Sequence, residues 1–165
     1  MSVSGMRLRP TSDRLRETIF NILSQLVKGA HVLDLFAGTG AMGIESLSRG
    51  AESATFVDNH LASVKIIQKN LDNCRLLPYA TVLRWDASRN LNCIKDLRFN
   101  LTFLDPPYNR RMIAPALNAL YKTGCMVSGA LIVVEHSLAE SIPEQYQLLD
   151  QRKYGKTIVS FINFG

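Results

Sequence analysis

His31-Val-Leu-Asp-Leu-Phe36 runs directly into Ala37-Gly-Thr-Gly-Ala-Met-Gly43. The first six residues are mostly apolar and too few to make a helix, so they predict a buried strand. The glycines behind them predict a tight turn, because a backbone without Cβ atoms can be approached closely by a ligand. Residues 41–49 can then be helical, with Gly50 as their stop. Gly38, Gly40 and Gly43 take the three glycine positions of G-x-G-x-x-G. That spacing points to a nucleotide ligand but is shared by NAD and FAD sites, and alone it does not choose among them.

Outward from this unit the same alternation recurs. Upstream, Leu15, Ile19, Ile22, Leu23 and Leu26 fall at helical spacing. Ser12 and Asp13 are candidate N-caps, and Gly29 a candidate stop. Arg14, Glu17, Asn21 and Gln25 lie on the opposite face, toward water. Downstream, strands are predicted over 54–57, 80–85, 101–104 and 130–135, and helices over 61–71, 88–97 and 113–121. The tail is different: residues 146–154 and 156–164 are β-rich and meet at Tyr154-Gly155-Lys156, a hairpin signal. The expected fold is α/β, a mostly parallel seven-stranded sheet with helices on both faces and a C-terminal antiparallel hairpin. The chain reads as one domain, residues 1–28 being a basic segment and helix packed on a core of residues 29–165.

The composition is that of a soluble globular protein, with 47% hydrophobic and 20% charged residues in a chain of 165. No apolar stretch approaches the ~20 residues that span a bilayer. The N-terminus lacks the apolar centre of a signal peptide. A cytoplasmic monomer is the expectation. Cys74, Cys93 and Cys125 are widely spaced and unlike a metal or disulfide framework, so free thiols are expected and no metal. The net charge of +5 is concentrated. Arg7, Arg9, Arg14 and Arg16 crowd the N-terminus, Arg110 and Arg111 sit mid-chain, and Arg152, Lys153 and Lys156 lie near the end. Such clusters suit a polyanion.

Four aspartates share one kind of position. Asp34 lies in the first strand, while Asp58, Asp86 and Asp105 each end a later one. Parallel strands present their carboxyl ends to one edge, so these acids should line one crevice. Asp58 stands where an acid would bind ribose hydroxyls, and Asp86, with Ala87 beside it, where one would bind an adenine amino group. Asp105-Pro-Pro-Tyr108 is a different device. Its prolines hold the backbone extended and remove two N–H donors, so the segment offers only acceptors. An amino group could donate to the Asp105 carboxylate and the Pro106 carbonyl while its ring stacks on Tyr108. A plain proline-stiffened turn is the structural alternative, but a dinucleotide site has no use for a second amine acceptor.

Asp34-Leu-Phe-Ala-Gly-Thr-Gly40 resembles motif I of the class I S-adenosylmethionine-dependent methyltransferases, and Asp105-Pro-Pro-Tyr108 resembles their amino-methylating motif. The segment Arg9-Pro-Thr-Ser-Asp-Arg-Leu-Arg-Glu-Thr-Ile-Phe-Asn-Ile-Leu23 is similar to the N-terminal signature of the RsmD family. The resemblance runs from about Arg7 to the C-terminus. It implies a Rossmann-like fold and methyl transfer to the N2 amino group of a guanine in small-subunit (16S) ribosomal RNA. S-adenosylmethionine would be the cofactor and S-adenosylhomocysteine the product. Asp105, Pro106, Pro107 and Tyr108 would be catalytic, and Asp34, Gly38, Gly40, Asp58, Asp86 and Ala87 would hold the cofactor. Arg7, Arg9, Arg14, Arg110 and Arg111 would meet RNA, within a ribosomal particle. Two departures stand out. Family members carry a short basic hairpin ahead of the Arg-Pro-Thr segment, for which this chain has no room, so RNA contact should lean on Arg7, Arg9 and the tail. Asp58 stands where the family more often has Glu. The alternatives are a DNA adenine-N6 methyltransferase and a catalytically idle RNA-binding or assembly factor. His31, His60 and His136 are expected to be structural or solvent-facing, and Trp85 core or cofactor-pocket wall. Glu135 either borders the site or caps a helix.

Overall fold

The computed structural model describes residues 10–165. The strands are β1 (His31–Leu35), β2 (Ser53–Asp58), β3 (Ala80–Arg84), β4 (Phe99–Leu104), β5 (Met126–Ser137), β6 (Gln147–Tyr154) and β7 (Thr157–Phe164). The helices are α1 (Pro10–Leu23), α2 (Ala41–Ser48), α3 (Leu61–Asn73) and α4 (Ile113–Thr123). One seven-stranded sheet runs in the order β3-β2-β1-β4-β5-β7-β6. The first five strands are parallel and β7 runs antiparallel between β5 and β6. The order reverses between β1 and β4, and a sheet of this kind opens a crevice there at its carboxyl edge.

Alternate residues of each strand feed two cores. Val32, Phe56, Leu101, Phe103 and Phe161 pack under α1, α2 and α3, where Ile19, Phe20, Leu23, Leu47 and Ile67 meet them. Leu33, Leu35, Val57, Leu104 and Ile132 face the other way, onto Ile113, Ala116, Leu117 and Leu120 of α4. Phe20 is fully buried and its ring lies 5.6 Å from that of Phe103, tying α1 to the middle of the sheet. Burying one such side chain stabilises the fold by about 2–3 kcal/mol.

Several expectations are corrected. α1 starts at Pro10, ahead of both proposed caps. Proline is favoured at a first helical position, and Asp13 instead pairs with Arg16 at 3.2 Å in the first turn. Leu26 is 65% exposed while Val27 is buried, because a 3-10 turn at Ser24–Leu26 shifts the phase after α1. The helix expected over 88–97 reduces to a 3-10 turn at Asn92–Ile94. Asp86 and Asn90 each accept the N–H two residues on, at 3.1 and 3.0 Å, and such local bonds compete with a helix. Trp85 is neither core nor cleft wall. It is 37% exposed and its indole N–H donates to the Asn90 carbonyl at 3.0 Å. β5 is longer than expected, reaching back to Met126 through an irregularity in its pairing with β4. The two-residue turn Gly155-Lys156 closes the terminal hairpin as read, with Gly155 at φ +61°. All three cysteines are free.

Candidate active site

The strand register assembles the site. Leu35, Val57, Leu104 and Val134 are paired side by side across β1, β2, β4 and β5, all pointing into the α4 core. The next residues along these chains are Phe36, Asp58, Asp105 and Glu135. They form the following row at the carboxyl edge; alternation turns the three acids away from the α4 core, while Phe36, past the end of β1 with a left-handed φ, also packs against that core. All four line one cleft of about 470 Å³, with Gly38, His60 and Tyr108. A second lobe of about 270 Å³ reaches toward α1, sharing Phe36, Asp105 and Glu135 and adding Arg16 and Asp34.

On the β1–β2 side the carboxylates are held by backbone N–H groups. Gly43 N–H donates to Asp34 Oδ2 at 3.0 Å. Gly38 N–H donates to Asp58 Oδ2 at 3.0 Å and His60 N–H to Asp58 Oδ1 at 2.9 Å. Asp34 is buried, and its pKa is pushed up to about 7 by loss of water and by the nearby Asp58 charge, against the Gly43 bond that lowers it. The glycines divide the work. Gly38, at φ +58°, has open space where a Cβ would stand, so a ligand can come against its backbone. Gly43 faces the other way: a Cβ there would lie 2.3 Å from the Phe56 ring, so this glycine lets α2 press onto β2. Gly40 combines φ +79° with Phe56 and Ile67 at 3.2 Å from a would-be Cβ; its part is in the turn and its packing, not in the cleft lining. Phe36 also adopts a left-handed backbone, φ +55°. Such a conformation costs roughly 1–2 kcal/mol in a residue with a Cβ, and here it swings the chain from β1 into the glycine turn.

The β4–β5 side is less saturated. Asp105 opens onto the cleft and is hemmed in by protein elsewhere. Reduced access to water, then the charges of Glu135 and Asp34, push its pKa well above the usual carboxylate range. Glu135 is also raised, by burial, against a hydrogen bond from Tyr108. The Tyr108 hydroxyl donates to Glu135 Oε1 at 3.4 Å and lies 3.2 Å from Thr157 Oγ1. Tyr108 is 44% exposed, so its ring face is available. Beyond it, Asn109 and Arg111 take left-handed φ values of +59° and +52°. This loop is latched to the end of β5 by Ser137 Oγ donating to Asn109 Oδ1 at 3.3 Å and Arg111 N–H donating to Glu140 Oε1 at 3.2 Å.

The structure thus brings Asp34, Gly38, Asp58, Asp105, Pro106, Pro107 and Tyr108 to one place. It does not bring Asp86 or Ala87 to the cleft wall. Asp86 lies two residues past Arg84, the partner of Asp58 in the ladder. It bonds Ser88 and pairs with Arg89 at 3.3 Å, which hold its pKa down; Ala87 is buried in the α4 core. Arg14, Arg110 and Arg111 are exposed and line neither lobe. Arg7 and Arg9 lie outside the described residues. His136 is structural as expected, buried with Nε2 2.8 Å from Ser160 Oγ. His60 is exposed, within the expectation, and it also lines the cleft. Phe36, Arg16, Asn59 and Ser63 were also missed as lining residues. A count of residues from the buried pairing row would have found Phe36 and settled Glu135, whereas Arg16 carries no local signal.

The fold and this site define the class. The structure named SMU.776, described as a candidate methyltransferase complexed with S-adenosylhomocysteine, superposes with a TM-score of 0.69 at 16% identity, over 93% of this chain and 49% of that one. The seven-stranded order and the cleft are those of a class I methyltransferase, the class for which the sequence resemblance implies S-adenosylmethionine as cofactor. The family model described as Conserved hypothetical protein 95 matches residues 1–163. Ribosomal RNA small subunit methyltransferase D of Escherichia coli K12 is 38% identical over 136 residues, 82% of this chain and 68% of that protein. The structure of Escherichia coli yhhF, described as a candidate methyltransferase, matches with a TM-score of 0.81 at 33% identity, over 94% and 87% of the two chains. The chain belongs to the family of these proteins, the RsmD family of methyltransferases.

The residues present fit the cofactor. Four carboxylates face the two lobes, against Arg16 as the cationic lining residue among those described, so a sulfonium cation is electrostatically welcome. Asp58 retains lone pairs for ribose hydroxyls beyond those used by Gly38 and His60. Open space at Gly38 admits the ligand. Among the described residues no cluster of His, Cys, Asp and Glu suits a metal, and no helix is long and apolar enough to cross a membrane.

Proposed function

We propose that this protein methylates the exocyclic N2 amino group of a guanine in small-subunit ribosomal RNA. The observation that carries the reading is Asp105, which lines the cleft directly after β4, ahead of two prolines and near a half-exposed Tyr108. The small-subunit RNA is the substrate printed in the name of the Escherichia coli relative, and it supplies the polymer.

S-adenosylmethionine supplies an activated methyl on a positively charged sulfur. The chain's own residues do the rest. Gly38 and Asp58 hold the cofactor, with Asp34 fixing the turn through Gly43. The target base leaves its stack at a cost of a few kcal/mol. Tyr108 offsets part of this by stacking, typically about 1–3 kcal/mol per base. The amine lone pair is delocalised into the ring. By accepting the N–H bonds, Asp105 and the Pro106 carbonyl turn that lone pair toward the methyl group. Methyl transfer, in which the nitrogen–carbon bond would form as the carbon–sulfur bond broke, would leave the nitrogen cationic with one proton to shed. Asp105 stabilises that charge and accepts the proton, a role its raised pKa favours. Positioning does most of the remaining work.

The chain works as one domain, with α1 packed on a methyltransferase core of residues 29–165 and the basic residues of segment 1–28 available to the substrate. Arg14, Arg110 and Arg111, with Arg7 and Arg9, meet RNA phosphates. A monomer working in the cytoplasm on a ribosomal particle fits this small basic chain. The test is labelled-methyl transfer to small-subunit particles, protein-free small-subunit RNA and DNA in parallel, with mapping of the modified nucleotide. Label in a single guanine of the particle is expected. Label in DNA adenine, or cofactor binding with no transfer to any of the three, would overturn the reading.

A further inference from the structure

Asp105 has a neighbour that the amino-methylating motif does not contain. Glu135 stands in the adjacent strand β5, in the same row, lines both lobes of the cleft with Asp105, and lies near enough for the two charges to be felt. Its Oε1 takes the Tyr108 hydroxyl at 3.4 Å. Its Oε2 takes no hydrogen bond from the described residues and is not sealed from solvent. One carboxylate suffices to receive an amino group. Two ask for a ligand edge with two adjacent donors.

Among the bases with an exocyclic amine, only guanine has such an edge. Its ring N1–H stands beside its amino group. In adenine and cytosine the amine is flanked by a ring nitrogen with a lone pair, which a second carboxylate would repel. We propose that Glu135 is a specificity-determining residue, accepting the N1–H of guanine while Asp105 accepts from the neighbouring amino group. The Tyr108 hydroxyl, itself 3.2 Å from Thr157 Oγ1, holds Glu135 in place, so the stacking ring and the edge reader are set by one hydrogen-bonded group. This inference deepens the proposed function and rests on it.

2-Aminopurine separates the two roles, because it keeps the amine at position 2 but has no hydrogen on N1. The full chain would be assayed above neutral pH on RNA carrying either guanine or 2-aminopurine at the mapped position. Wild type should favour guanine in kcat/KM by on the order of 100-fold, the worth of a charge-assisted hydrogen bond. Glu135→Gln should bring the two substrates within about threefold, since its amide N–H can donate to the bare N1. Glu135→Asp, which keeps the charge, should be slower yet still prefer guanine. Affinity for S-adenosylhomocysteine, measured calorimetrically, should stay near wild type in both variants. If Glu135→Gln slows both substrates equally and keeps the wild-type ratio, Glu135 is only a support for Tyr108 and the inference fails. A wild-type enzyme that leaves guanine unmodified fails earlier, at the proposed function itself, and takes this inference with it.

Discussion

The two halves of the cleft are built from the same side-chain chemistry and finished differently. On the β1–β2 side, Asp34 and Asp58 accept three backbone N–H bonds from Gly43, Gly38 and His60. On the β4–β5 side, Asp105 and Glu135 have between them one side-chain donor among the described residues, the Tyr108 hydroxyl. The prolines explain the contrast, since Pro106 and Pro107 have no N–H to offer. The β1–β2 half is satisfied by the chain itself and is therefore preformed. The β4–β5 half stays short of donors, which suits the grip on an amine proposed above.

The contrast breaks most sharply at Asp105. Asp105→Ala should reduce methyl transfer by on the order of 1,000-fold, while calorimetric affinity for S-adenosylhomocysteine changes little. Turnover near wild type would remove Asp105 from the chemistry. On the other side, Asp58→Ala should weaken that affinity by about 10- to 100-fold, because the ribose acceptor and the anchor of Gly38 and His60 go together. Asp86→Ala should cost less than Asp58→Ala, under about tenfold, since Ser88 and Arg89 already engage its carboxylate; an equal loss would show that Asp86 turns to the cofactor on binding.

Tyr108→Ala should lower turnover on RNA by about 10- to 100-fold, the worth of one stacked base, with little change in Tm. A large fall in Tm with turnover preserved would make Tyr108 a structural residue.

The smallest expected effect is on stability against pH. Folding raises the pKa of Asp34 from 3.8 to about 7. The folded state therefore binds more protons than the unfolded one between those values, so this contribution is fully present below the lower value and is lost as pH rises through the upper one. Asp58 beside it adds to the penalty on the charged form, and Asp105 and Glu135 are pushed the same way. Asp34→Asn keeps an acceptor for the Gly43 N–H and carries no charge. Its denaturation midpoint should fall less across this window than that of wild type, in urea titrations at a series of pH values. An unchanged slope would show that Asp34 stays ionised in the folded protein.

Periodicity and turn chemistry made most of the fold readable. All seven strands and four of the five expected helices form, because apolar spacing, glycine stops and the hairpin turn act locally. The fifth, over 88–97, failed because Asp86 and Asn90 turn their side chains onto nearby backbone, a competition that apolar spacing does not register. The site was readable where it rests on contiguous residues, as at Asp34 to Gly40 and Asp105 to Tyr108.

By itself the sequence determined that this chain would be a wound α/β sheet with a glycine turn and a proline-stiffened loop after an acid, since each of these is encoded within a few neighbouring residues. Which acids face one another was decided by the folded sheet. Glu135 lies 30 positions beyond Asp105 in the chain yet beside it in the row, and Asp86, expected to end a strand, lies two residues past β3 and misses that row. Register is a property of paired strands, set by how their buried faces pack, and no single stretch of the chain contains it.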